Sequence, residues 1–351
     1  MSGKEIAKRY EVSARRNWLL IILCLILTVI LALVFTAMGA ADTSVADVCR
    51  AAAGWLRGEE PGKQEKVILF LRLPRVVMAV LAGFGLSVSG AAMQGVTRNS
   101  LVSPFTIGIS NAAAFGASLS IVFGMGLFAG TEAGIVLNAF IWAMGCTVLV
   151  YMISLKVGMG PEAIVLTGIA LNYLFSAATS TIEFFASEHK LAQVVQWAFG
   201  SLNGAQWQEA GTVAVVVLVC LILLYFHAPA LNVMSSGDDE VAKSLGIRVE
   251  AVRVQVGILS VLMTAAVISF TGVIGFVGLA GPHIARMIIG NDHRYLLPFS
   301  AVTGAILMLV ADTIGRLILA PVTIPVGIII SFLGVPIFIN LILSKRKGYF
   351  Q

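Results

Sequence analysis

Charged side chains are scarce in this chain of 351 residues, where Asp, Glu, Lys and Arg together make up 12% of the sequence. Ordinary globular domains carry about 25% charged residues. Hydrophobic residues reach 58%, and the mean hydropathy is +0.96. This balance excludes an ordinary soluble domain and predicts a polytopic membrane protein.

Cysteine and histidine are also few, and neither type is clustered. The four cysteines are widely separated: Cys24, Cys49, Cys146 and Cys220. The four histidines lie in separate predicted loops: His189, His227, His283 and His293. No spacing fits a metal site, haem attachment or a disulfide framework. We therefore expect no metal, no catalytic residue and no enzymatic activity.

The chain has no GxxxxGK[ST] phosphate-binding loop, so it cannot bind ATP through that motif. If ATP drives this protein, another chain must supply the ATP site. The net charge of +5 could suggest nucleic acid, but Lys and Arg cluster beside apolar runs, as the positive-inside rule describes. We expect a lipid bilayer as its surroundings, no nucleic-acid partner and no cofactor bound by this chain.

Apolar runs long enough to cross a bilayer of ~30 Å recur along the chain. The first, residues 18–38, is longer than a usual signal-peptide core, which favours an uncleaved helix over the alternative of a signal peptide. We expect an all-α fold with about ten spans in one domain, residues 1–351. On this topology fifteen of the 23 Lys and Arg residues lie inside. This asymmetry predicts a multi-pass protein of the cell membrane with a cytoplasmic tail, residues 1–17, and a cytoplasmic carboxyl end.

Three connections carry much of the remaining charge. Residues 41–75 form the predicted outer loop, which ends in LRLPR; its arginines could alternatively be interface anchors. Residues 227–253 form a predicted cytoplasmic loop, in which Asp238, Asp239 and Glu240 suit the start of a short helix and Gly246 its end. Residues 283–296 form a second predicted cytoplasmic loop.

The stretch from residue 270 to 294 is unusual because four glycines recur at every third position. Small residues let helices approach closely in membranes. A three-residue repeat drifts around an α-helix, so either several neighbours pack here or the helix is broken. Pro282 is placed to break it. A packing helix followed by an ordinary loop is the simpler alternative.

Taken in order, several stretches resemble the FecCD permeases, the membrane subunits of ATP-binding-cassette importers for ferric siderophores, haem and cobalamin. The stretches run from about residue 72 to the carboxyl end, and they include LRLPR, AGFGLSVSGAAMQG, RNSLVSP, LNVMSSGDDEVAKSLGI, GVIGFVGLAGPHIARMIIGNDHRYLLP and GAILMLVADTIGR. One departure is Ser100, where the family commonly has proline.

The resemblance implies a type II importer permease with ten helices per subunit. It also implies a second permease subunit, identical or different, two cytoplasmic ATPases that use ATP, and an extracytoplasmic substrate-binding protein. The expected docking residues are Arg72, Arg75 and Arg316, with Asp312 one turn before Arg316 and able to pair with it. The expected ATPase-coupling residues are Gly237, Asp238, Asp239, Glu240, Ala242, Leu245, Gly246, His283 and Arg286.

Polar residues at membrane depth must face protein or a water-filled path. The candidates for the translocation path are Gln94, Asn99, Ser110, Asn111 and Asn172. Ferric siderophore is the expected cargo, with haem and cobalamin as alternatives. An ion-coupled secondary transporter is the alternative from another class, with Asp312 and Glu183 as its candidate charges.

Overall fold

The computed structural model describes residues 3–39, 43–128 and 130–344, so the basic ending at 345–347 lies outside the described residues. These residues are mainly helical and include no strand. Seven helices are long and apolar enough to cross a membrane: α1 (Gly3–Ala37), α4 (Leu73–Thr97), α6 (Glu132–Val157), α7 (Pro161–Phe185), α9 (Trp207–Phe226), α12 (Val249–Thr271) and α14 (His293–Leu317). Three further apolar helices bring the total to the expected ten: α5 (Ile109–Phe123), α13 (Val277–Ile289) and α15 (Val326–Ser344).

Five shorter helices lie between these spans: α2 (Val45–Leu56), α3 (Lys63–Val67), α8 (Glu188–Ala198), α10 (Ala228–Ser236) and α11 (Asp239–Ser244). Two of them occupy the segment that we expected to be an outer loop, residues 41–75. From Lys63 the chain is helical through α4. The polar composition of this segment concealed its helices. Apolar side chains of α2 and of residues 68–69 pack against the end of α1.

Proline 74 is accommodated by a wider helical turn and a side-chain donor. A π turn, Ile68–Arg72, links α3 to α4, and in that pattern the N–H of residue 74 would bond to the carbonyl of Leu69. Proline has no N–H. The indole Nε1 of Trp207 donates to the Leu69 oxygen instead, at 2.8 Å. The helix therefore continues through Pro74, and the carbonyl of Leu69 keeps a hydrogen-bond partner.

The break in the glycine-rich stretch does not fall at Pro282, which corrects our expectation. Residues 272–276 separate α12 from α13, and Pro282 lies inside α13. The break begins at Gly272, whose φ of +68° suits glycine. Because Pro282 cannot donate to the carbonyl of Gly278, that oxygen is available to a neighbour. It lies against Gly90 of α4, where any Cβ would overlap it.

Two predicted cytoplasmic loops are also largely helical. Residues 227–253 contain α10, α11 and the first turn of α12. Residues 283–296 contain the end of α13 and the start of α14, so only residues 290–292 separate the two helices. Gly246 and Gly290 have positive φ, which allows the chain to turn within a few residues.

Helix α4 is the centre of the bundle. It packs against α14, α12, α13 and α9, and most of its residues are buried. Its most extensive contact is with α14, where a Cβ on Gly83 or Gly304 would overlap the backbone of the opposite glycine. The two helices therefore touch through their backbones, as small-residue contacts in membranes allow.

Helices α4 and α14 are antiparallel, and their ends define two sides of the protein. At one side Arg75 of α4 contacts Asp312 of α14, and we call this the arginine end. At the other side Gly95 of α4 lies against His293 of α14. Because Asp239 lies on this second side, bonded to the end of α4, we call it the Asp239 end.

Substituting Gly304 by alanine tests the backbone contact. A Cβ at Gly304 must displace Gly83 or the side chain of Ser87, and overpacking of this kind costs about 1–3 kcal/mol. We expect Gly304→Ala to lower the midpoint of thermal unfolding in detergent.

Gly145→Ala is the matched control, because Gly145 is also within a helix and has open space around it. It should leave the midpoint unchanged or raise it, since alanine favours a helix over glycine. Equal effects of the two substitutions would contradict a tight contact between α4 and α14.

Candidate functional sites at the two ends of the bundle

A buried carboxylate joins two arginines at the arginine end. The Nη2 atom of Arg75 lies 2.7 Å from Oδ1 of Asp312, and Nε of Arg316 lies 3.1 Å from Oδ2. The Asp312 side chain is only 2% exposed. Arg75 also donates to the side chain of Asn203. A buried charge is tolerated when it is paired and hydrogen-bonded, and Asp312 meets both conditions.

Two arginines at this end also donate hydrogen bonds to the carbonyls at the end of α1. Arg316 donates to the carbonyls of Phe35 and Met38 at 3.0 and 3.1 Å. Arg72 donates to the carbonyls of Thr36 and Ala37 at 3.3 and 3.1 Å. The last carbonyls of a helix have no partner within it and carry partial negative charge. The arginines therefore hold α1 against α4 and α14.

All three predicted docking residues thus lie at one end of the bundle. The structure adds that they are engaged within the chain and only partly exposed: the side chains of Arg75 and Arg316 are 14% and 12% exposed. Among Arg72, Arg75, Arg316 and Asp312, three positive charges face one negative charge. The cluster keeps a positive excess that an external carboxylate could approach.

A second ionic network lies at the Asp239 end. The carboxylate of Asp239 accepts two hydrogen bonds from Arg253, at 2.7 and 2.8 Å, and one from Arg98 at 2.9 Å. Arg253 is almost fully buried and also donates to the carbonyls of Val96 and Met159. One guanidinium therefore connects α11, α12, the end of α4 and the turn between α6 and α7.

The network fixes the charge state of Asp239. Hydrogen bonds from Arg253, together with the positive charges of Arg253 and Arg98, hold the pKa of the Asp239 carboxyl below its usual range. The carboxylate is therefore ionised at neutral pH, which keeps both arginines paired.

Helix α11 presents one face to the bundle and another outward. Ala242 is fully buried, whereas Val241 and Leu245, one turn apart, are exposed. Asp238 and Glu240 are exposed as well, and the carbonyl of Gly237 accepts a bond from Arg98. The short helix begins and ends where the sequence predicts, since Gly246 follows it with a φ of +83°.

The other two predicted coupling residues, His283 and Arg286, lie half-buried on α13 rather than in a loop. Nearby, the turn into α14 is bonded to α10. Asn232 donates to Oδ1 of Asp292 at 2.6 Å, and its own oxygen accepts from the backbone N–H of His293 at 2.7 Å. The same oxygen lies 2.9 Å from Nδ1 of His293, so Nδ1 carries the proton.

The translocation candidates do not form one group. Asn111 of α5 donates to the carbonyl of Asn172 in α7 at 3.2 Å, and Ser110 is adjacent and half-buried. Gln94 is instead enclosed within the core, and neither atom of its amide has a partner. Asn99 is exposed in the turn after α4, where it accepts from the N–H of Leu101.

An apolar recess of about 630 Å³ opens between α8, the 272–276 break and α15. Phe199, Phe276 and Phe332 contribute aromatic surface to it, and Ser331 contributes a hydroxyl. No local sequence pattern indicated this recess, because the residues that line it come from three distant segments.

Sequence reasoning also missed Arg98, Arg253 and Asn232. The available signal for Arg253 was a single arginine within the apolar run that begins at Val249, because such a charge needs a partner. The partner, Asp239, lies 14 residues earlier in the chain, and Glu250 and Glu240 are nearer in sequence. Nothing in the sequence indicated that Asn232 bonds to residues 60 positions away.

Comparison with known proteins agrees with the resemblance in sequence. The model of the FecCD transport family matches residues 21–344. A hemin transport system permease of Yersinia pestis is 40% identical over 282 residues, which is 80% of this chain and 84% of the relative. An Fe(3+)-citrate import system permease of Bacillus subtilis is 35% identical over 311 residues, 89% of each chain.

A solved structure supports the same assignment. It shows an inward-facing ABC transporter assigned to the metal-chelate type, with a TM-score of 0.81 and 32% identity. The match covers 93% of this chain and 99% of that one. With the helices of a multi-pass membrane protein and a family match over most of its length, this chain belongs to the FecCD transport family.

Proposed function

We propose that this chain is the permease subunit of an ATP-binding-cassette importer that carries a ferric siderophore from an extracytoplasmic binding protein into the cytoplasm. The observation that carries the proposal is the family match over residues 21–344. The relatives named for hemin and Fe(3+)-citrate favour an iron complex as cargo. Haem and cobalamin are the alternative cargoes.

The geometry of Asp312 disfavours an ion-coupled transporter. A coupling carboxylate must exchange its ion or proton during the cycle, but Asp312 is enclosed by two arginines. Glu183, the other candidate, lies two residues from the end of α7. ATP hydrolysis by two separate ATPase subunits is the more consistent energy source.

Uptake into proteoliposomes tests the proposal. The permease is reconstituted with the ATPase and binding protein encoded beside its gene, and a ferric hydroxamate siderophore, hemin and cyanocobalamin are offered separately. We expect uptake of the ferric siderophore that requires ATP and is unchanged when proton and sodium gradients are collapsed.

Uptake driven by an ion gradient without ATP would contradict an ABC importer. ATP-dependent uptake of hemin or cyanocobalamin alone would retain the importer and replace the cargo. An ATPase that lacks its catalytic glutamate serves as the control for hydrolysis.

We place the arginine end outside the cell and the Asp239 end in the cytoplasm, with both chain termini cytoplasmic. At the outer end Arg72, Arg75 and Arg316 receive carboxylates of the binding protein. At the inner end the exposed face of α11, with Val241 and Leu245, contacts an ATPase, and His283 and Arg286 add secondary contacts. Ser110, Asn111 and Asn172 lie on the side of the translocation path, which a second permease subunit completes.

Removing charge from two outer arginines tests docking. In the double variant Arg72→Gln, Arg316→Gln, both side chains stay polar, but they are shorter and the positive charge is lost. Exposed charge pairs contribute about 0.2–1 kcal/mol each, and their largest effect is on association. We expect slower association of the binding protein at low salt and a flatter dependence of its rate on salt.

The control variant Arg50→Gln, Arg57→Gln removes the same charge from exposed positions of the same predicted outer region. Surface plasmon resonance on permease in nanodiscs measures both variants across a salt series. If the control slows association as much as the double variant does, the prediction that this cluster docks the binding protein is wrong.

Cysteine labelling tests the orientation. Cys49 is exposed on α2, so an impermeant maleimide should label it from outside intact cells. In a Cys49→Ser background, a cysteine at Asn291 should react only after the cells are permeabilised. Labelling of Asn291→Cys in intact cells would reverse the assignment of the two ends.

A further inference from the structure

Besides the exposed ion pair of Lys243 with Glu250 of α12, the coupling segment, α10 and α11, is bonded to the membrane helices at two further points. The first point is Asp239, which α12 and the end of α4 hold through Arg253 and Arg98. The second point is Asn232, which is bonded to the turn before α14 and to the first residue of that helix. The segment therefore cannot move as a unit without moving α4, α12 and α14 or breaking these bonds.

Each point has a buried partner on the membrane helices, whereas the Asp239 side chain itself is 30% exposed. Arg253 is 2% exposed, and His293 is 1% exposed. Loss of the Asp239 carboxylate would leave a buried guanidinium without its charge partner, which is strongly unfavourable. Loss of the Asn232 amide would leave Nδ1 of His293 and a carboxylate oxygen of Asp292 without the bonds described above. These bonds are expected to persist through ordinary thermal motion.

Between the two ends, α4 and α14 have little freedom to slide. The backbones of Gly83 and Gly304 touch, and Ser87 fills the space beside Gly281 of α13. Interfaces packed in this way move between discrete arrangements rather than deforming continuously. The pair therefore behaves as one body across the thickness of the bundle.

The same two helices carry the buried pair of the arginine end. Arg75 belongs to the first turn of α4, and Asp312 lies in the last turns of α14. Each helix therefore has an ionic or hydrogen-bonded attachment at both of its ends. The same rigid pair is therefore affected from both ends: by a change in the charges around Arg75 at one end, and by a movement of α11 at the other.

We propose that Asp239 and Asn232 are positioning residues through which the α4–α14 pair transmits binding-protein docking at the arginine end to the ATPase at the Asp239 end. The inference rests on the proposed function, since it requires both partners. Coupling of two sites needs an element whose arrangement both sites bias, and the α4–α14 pair is that element. Asn232 acts on α14, and Asp239 acts on α4 and α12.

The test compares ATP hydrolysis by the assembled importer in nanodiscs with and without its binding protein. The measured quantity is the ratio of the stimulated rate to the basal rate. We expect Asn232→Ala and Asp239→Asn to lower this ratio toward one, and Asp239→Glu to restore part of it by returning the carboxylate. Asn232→Ala leaves the buried arginine network intact, so it keeps the test decisive if Asp239→Asn fails to assemble.

Two control variants remove neighbouring polar groups that do not connect to α4 or α14. Glu250→Gln breaks an exposed ion pair between α12 and Lys243 of α11. Ser236→Ala removes a hydroxyl that bonds only within α10. Both controls should keep the wild-type ratio.

The outcomes separate this inference from the proposed function. If the binding protein fails to stimulate the wild-type complex, the proposed partnership is contradicted. If it stimulates the wild type and Asn232→Ala equally, the role of Asn232 is overturned and the proposed function stands. If Glu250→Gln lowers the ratio as much as Asp239→Asn does, the effect reflects charge at this junction and the inference is wrong.

Discussion

The backbone contact between α4 and α14 is the constraint on which the other features depend. In lipid, apolar side chains gain little by leaving the solvent, so helices associate through close packing and polar bonds. Gly83 and Gly304 allow that close approach. The approach in turn places the first turn of α4 beside the last turns of α14, where Arg75 can reach Asp312.

The ionic groups at the two ends complete this packing in different ways. At the arginine end, Asp312 pairs with Arg75 and Arg316. Arg316 also donates hydrogen bonds to carbonyls at the end of α1. At the Asp239 end, Arg253 satisfies two backbone carbonyls and one carboxylate. Breaking a buried pair by removing one partner typically costs about 3–5 kcal/mol. Both networks are therefore structural as well as candidates for partner contacts.

Much of the fold follows from the sequence, because hydropathy and length indicate spans directly. The short helix that begins at Asp239 and ends before Gly246 was also predictable from its acidic start and glycine end. The helical turns within residues 41–75 were not, since their polar faces resemble a loop. Pro282 misled because prolines are tolerated inside membrane helices; the carbonyl of Gly278 that it frees lies against Gly90 of α4.

The candidate sites were predictable only in part. The pairing of Asp312 with Arg316 followed from their spacing of one helical turn, and the structure confirms it. The bond from Arg75 to the same carboxylate joins residues 237 positions apart, which no local pattern reveals. Membrane depth alone also put Gln94 and Asn111 in one group of candidates. In the structure Gln94 is enclosed in the core, whereas Asn111 lies between α5 and α7.

Helices α4 and α14 are expected to move as one body during the transport cycle. Electron–electron double resonance on the assembled importer tests it most directly, with one spin-label pair at Leu71 and Leu317 and another at Asn99 and Asn291, all exposed positions. We expect both distance distributions to stay the same in nucleotide-free and ATP-trapped complexes, while the distance from Asn99 to its equivalent in the second permease subunit changes. A shift of either distribution within one subunit would show that α4 and α14 do not move as one body.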